Sequence, residues 1–128
     1  MAYAGIQTML LAYKMRKSDK EFELSQIANK LEVYTRNSTS INDLYAAKKT
    51  EAAEQYGKDT PEYEDEVDSL DKEMNFKLAD IAEMENELSQ KKSNCETEIS
   101  QLNGYITSWT TALQEGIKNS HKYGNTNG

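Results

Sequence analysis

The segment YGKDTPEYEDE, Tyr56 to Glu66, holds the only proline of a 128-residue chain and lies near its midpoint. Its residues stop one helix and start another. Gly57 can take the left-handed conformation that closes a helix, because it has no Cβ to clash. Thr60 is a residue type whose side-chain oxygen caps a helix N-terminus, and Pro61 suits the first helical position, where no amide proton is required. Glu62, Glu64 and Asp65 then favour the positive end of the new helix dipole. A connection this short turns the second helix back along the first. The segment therefore reads as a bend at residues 57–61 within one hairpin, not as a boundary between two domains.

On the C-terminal side of the bend, apolar residues recur at three- and four-residue steps: Val67, Leu70, Met74, Leu78, Ile81, Met84 and Leu88, then Cys95, Ile99, Leu102, Ile106, Trp109, Leu113 and Ile117. Only Lys92 interrupts them. These steps average closer to 3.6 than to 3.5, which predicts a nearly straight stripe and weak supercoiling. The N-terminal side carries the same rhythm at Ile6, Leu10, Tyr13, Leu24, Ile27, Leu31, Tyr34, Ile41, Tyr45, Ala52 and Tyr56, with polar intervals at Lys17, Lys20 and Ser38. Its weakest point is Thr35 to Ser40, where short polar and β-branched residues disfavour helix, and Ser40 with Asp43 could cap a new one. Residues 36–40 are thus a candidate break.

Composition agrees with two long helices. Proline is nearly absent, and charged residues make up 29% of the chain. A hydrophobic content of 37% with two Phe and one Trp is too little for a thick globule. The reading is all-α: a long antiparallel two-helix hairpin of coiled-coil type. Its first arm spans about residues 2–56 and its second about 61–123, followed by a polar tail at 124–128. Each arm would extend roughly 80 to 90 Å at the rise of an α-helix. A hairpin that buries one stripe per helix is marginal by itself, so further burial is expected from a partner.

Charge locates that partner surface. Residues 1–60 carry nine Lys and Arg against eight Asp and Glu, whereas residues 61–128 carry six against fourteen. Near the bend, Glu62 to Glu73 is densely acidic and belongs in water. At the opposite end, MAYAGIQTMLLAY (Met1 to Tyr13) and ISQLNGYITSWTTALQ (Ile99 to Gln114) contain no charged residue. A helix that is neutral on every face is ordinarily covered on every face, and two helices cannot do this for each other. The predicted self-association residues are Tyr3, Ile6, Met9, Leu11, Tyr105, Trp109 and Tyr123, because large apolar and aromatic side chains dominate interface energetics. Ile6 and Trp109 also fit the intramolecular stripe. Met9 and Leu11 lie off it.

Several chemistries find no support. A net charge of −7 argues against nucleic-acid binding, which needs clustered Lys and Arg. Cys95 is the only cysteine, so no intrachain disulfide or Cys-rich zinc site can form, and a small hydrophobe on a helix face is the simplest role. His121 is the only histidine, which excludes multi-histidine metal centres. Asp65, Asp68 and Asp71 lack the turn glycine of a calcium loop and read as a solvated acidic face. Gly57-Lys58 lacks the spacing of a phosphate loop, and Asn37-Ser-Thr39 is a glycosylation pattern too short to carry weight. No catalytic residue, cofactor or metal ligand is assigned, and the chain reads as no enzyme.

Met1 to Tyr13 has neither the leading positive charge nor the small-residue cleavage site of a signal peptide. It is also shorter than the roughly 20 residues that span a bilayer. The expected function is a structural self-assembling subunit that associates through its uncharged terminal end. This plan resembles, in general chain layout, the helical-hairpin filament and needle subunits of type III and flagellar-type secretion systems, although the proline-rich bend of needle subunits is lacking. The resemblance implies helical polymerisation and export without a cleaved signal. Two rivals stand beside it: a cytoplasmic coiled-coil adaptor or chaperone that binds another protein, and a peripheral membrane protein anchored by residues 1–13 with the basic cluster Lys14, Arg16, Lys17 and Lys20. That cluster is read first as pairing with acidic residues of a neighbouring hairpin.

Overall fold

A computed structural model describes the backbone of residues 2–127 and the side chains of residues 4–120. The protein is an all-α helical hairpin: α1 spans Ala2–Tyr56 and α2 spans Pro61–Asn127, with no strand among the described residues. The polar residues 124–127 continue α2.

The bend forms as its residue types dictate. Gly57 takes a φ of +86° and its amide donates to the Ala53 carbonyl at 3.0 Å, the single bond that closes a helix with a left-handed residue. Thr60 works on both sides. Its hydroxyl donates to the Gly57 carbonyl at 2.8 Å, and the same oxygen accepts the Tyr63 amide at 3.2 Å, satisfying one of the four amide groups a helix start leaves open. The Glu64 amide then donates to the Thr60 carbonyl at 3.2 Å, the first regular bond of α2. Glu62 and Glu64 stand in the first turn, against the positive end of the helix dipole.

The candidate break at residues 36–40 is absent, and α1 runs through it. The hydroxyls of Thr35 and Thr39 donate back to the carbonyls of Leu31 and Thr35, at 3.0 and 3.2 Å. Side chains that could have competed for the backbone are thereby bonded inside the helix, and Ser40 caps nothing.

By packing, the chain divides into two units: a terminal unit of Met1–Gln26 with Lys92–Gly128, and a bend unit of Ile27–Lys91. In the terminal unit Leu10, Cys95 and Leu102 are buried, and Ile6, Tyr13, Leu24, Ile99, Ile106, Trp109 and Leu113 are half-buried. Tyr13 and Tyr105 rings lie 5.4 Å apart at 31°. In the bend unit Ile27, Tyr45, Ala52, Leu70 and Leu88 are buried, flanked by half-buried Leu31, Tyr34, Ile41, Val67, Met74, Leu78 and Ile81.

The seam departs from the expected 3.6-residue period. From Leu10 to Ala52, the covered positions of α1 alternate by three and four residues, the heptad period of 3.5, with Lys49 the one half-buried residue outside the series. The polar positions Lys17, Lys20, Ser38 and Lys48 keep that register and are half-buried with it. In α2 the same alternation selects Glu85 and Gly116, not the apolar Met84 and Ile117, which are 46% and 45% exposed. Packing geometry, not apolar character, decides which residue faces the seam. Tyr56, the last residue of the N-terminal series, is likewise exposed.

Candidate interaction surface

The seven residues predicted for self-association separate into three groups. The side chains of Tyr3 and Tyr123 lie outside the described residues. Ile6 and Trp109 are half-buried in the seam of the terminal unit, so much of their apolar surface is already covered. Met9, Leu11 and Tyr105 remain 37%, 59% and 51% exposed. The Tyr105 ring leans on Tyr13 and still presents half its surface to solvent.

Two further residues join the exposed group. Met15 and Phe22 are 60% and 66% exposed. With Leu11 they occupy positions i, i+4 and i+11, which at 100° per residue fall within about 40° of one another on α1. In the bend unit the exposed large side chains are Val33, Leu44, Tyr56, Phe76 and Met84, and Phe76 is the most exposed of all at 70%. Both phenylalanines of the chain thus stand outside the core. A sequence signal for the α1 members exists: Leu11, Phe22, Val33 and Leu44 recur every eleven residues, about three helical turns, off the seam series. A search for a single stripe passes over it.

The basic cluster does not act as one group. Lys17 pairs with Glu21 at 3.6 Å, and Lys20 bridges Glu98 of α2 at 2.9 Å and Glu23 at 3.1 Å. Hydrogen bonds that the Lys20 ammonium donates to Glu98 and then to Glu23 hold it well above the ordinary lysine range. Two of the four charges expected to meet a neighbouring hairpin are therefore engaged within the chain. Lys14 and Arg16 have no ion pair among the described residues.

Beside this network Cys95 is buried, with its thiol donating to the Lys20 carbonyl at 3.2 Å. Burial, reinforced by the nearby Glu23 carboxylate, pushes the Cys95 thiol pKa up and keeps it a protonated, unreactive group. In the bend unit the acidic residues near the turn are partly neutralised: Lys72 pairs with Asp68 at 3.1 Å, and Lys49 pairs with Asp71 across the hairpin. Lys48 and Lys77 lie 4.9 and 5.4 Å from the centre of the Tyr45 ring. Among the described residues no cluster of His, Cys, Asp and Glu is placed to hold a metal ion, and no helix is long and apolar enough to cross a membrane.

The bend unit carries an open groove of about 470 Å³. Val33, Tyr34, Met84 and Leu88 line it with apolar surface, and Lys30, Glu87 and Lys91 provide charge at its margin. Comparison with protein-family models, with curated proteins and with solved structures finds no match.

Proposed function

We propose that this protein is a structural, non-enzymatic subunit that self-assembles through the uncharged end of its hairpin, as the subunits of extracellular or secretion-related filaments do. The observation that carries the reading is the exposed apolar surface of the terminal unit: Leu11, Met15, Phe22 and Tyr105 are each at least half exposed. Exposed apolar side chains of this size grouped in one unit are the kind of surface that a monomer rarely leaves uncovered. Tyrosine and phenylalanine there supply large, rigid contact area at low entropic cost. Charge adds direction, since Lys14 and Arg16 of this unit have no ion pair among the described residues while residues 61–128 carry the acidic surplus.

Negative-stain electron microscopy of the purified chain over a concentration series tests the proposal, beside a Met9→Glu/Leu11→Glu variant. Both residues lie outside the seam, so the variant should retain its helix content, whereas deleting residues 1–13 would also remove Leu10 and Tyr13 from the core. Filaments or rings from the intact chain but not the variant are the expected result. Small particles from both at every concentration overturn it.

A further inference from the structure

The bend unit contains a knob and a groove that fit each other but not within one molecule. Phe76 on α2 is 70% exposed. The groove of about 470 Å³ lined by Val33, Tyr34, Met84 and Leu88 has room for a phenyl ring. Resting on the reading that copies of this chain associate, we propose that Phe76 of one copy inserts into this groove of a second copy, forming a lateral contact distinct from the one at the terminal end.

Charge favours a second copy as the occupant. Lys30 and Lys91 flank the groove, and neither has an ion pair among the described residues. Asp80 and Glu83 stand four and seven residues beyond Phe76, one and two turns along the same face. They have no ion pair among the described residues either. Insertion of Phe76 therefore brings two unpaired carboxylates towards two unpaired ammonium groups, with Glu87 leaving the groove margin net positive by one charge.

The same charges exclude a symmetric exchange. Groove residue Glu87 lies eleven residues after Phe76, about 16 Å along α2. A two-fold contact that filled both grooves would place its axis midway between them. Asp80 and Glu83 of one copy would then face Glu83 and Asp80 of the other, and like charges in opposition destabilise a contact. Knob into groove without reciprocity is a head-to-tail interface, which propagates through successive copies into a ring or an open polymer. The contact is small. One phenylalanine buries about 150–250 Å², well below the roughly 1,000 Å² of an independently stable interface. It acts together with the terminal contact through effective concentration, and by itself associates only weakly.

Complementation in sedimentation velocity tests this, with every chain carrying Met9→Glu/Leu11→Glu so that only the groove contact remains. The terminal contact and the groove contact can then fail separately. In that background the parent chain should rise above its 14.6 kDa mass as concentration approaches about 1 mM. Phe76→Ser, which lacks the knob, and Met84→Glu, which fills the groove with a carboxylate, should each stay at the single-chain mass. Both sites are solvent-exposed, so helix content should be unchanged by circular dichroism. An equimolar mixture of the two should recover a species of twice that mass, because each supplies what the other lacks. A parent that never associates, a single variant that still does, or a mixture that remains at single-chain mass overturns the proposal.

Discussion

The hydroxyl of Tyr45 donates to the carboxylate of Glu73 across the hairpin, at 3.3 Å. Tyr45 is the one large side chain with no exposed surface among the described residues, and its ring lies under the ammonium groups of Lys48 and Lys77. Around it the Lys49–Asp71 pair and buried Leu70 complete the centre of the bend unit.

Removing the hydroxyl alone, in Tyr45→Phe, should cost about 0.5–1.5 kcal/mol, the usual net value of one hydrogen bond. Tyr45→Ala should cost about 3–5 kcal/mol, because the buried ring is lost and a cavity remains. Urea unfolding followed by circular dichroism measures both. Equal losses from the two variants would mean that the hydroxyl, not the ring, anchors this unit.

At the bend, Gly57→Ala should destabilise by about 1–2 kcal/mol, the strain of a left-handed residue bearing a Cβ. Steric crowding adds little, since a Cβ at Gly57 would meet the Thr60 methyl at 3.7 Å, an ordinary contact. Thr60→Ala should cost about 1 kcal/mol through the lost cap. Thermal denaturation at one protein concentration checks both, and a neutral Gly57→Ala would show that the bend rearranges.

Lys20 makes stability depend on alkaline pH. Glu98 and Glu23 raise its pKa above the ordinary 10.5, so its contribution is complete below that value and declines as pH rises through the higher folded-state pKa. The difference in Tm between the natural chain and Lys20→Met should stay constant from about pH 7 to 9 and shrink between about pH 10.5 and 12. A difference that stays constant to pH 12 would place the stabilising role in the lysine stem instead of its charge.

What the sequence determined by itself is everything local in origin. Gly57, Thr60 and Pro61 act on their own backbone within a turn or so, and their stop and start roles can be read from residue type alone. The three-and-four spacing of apolar residues likewise defines two long helices and most of their seam.

Packing decided the rest, because two helices in contact share one period and each seam position is chosen by its neighbour. That constraint turns Glu85 inward and Met84 out and keeps Lys17 and Lys20 half-buried. It also draws Ile6 and Trp109 into the seam and leaves Leu11 and Tyr105 more than half exposed. Exposure is a property of the pair of helices, and no single stripe contains it. Phe22 and Phe76 stand off the positions at which the two helices meet, and are therefore surface.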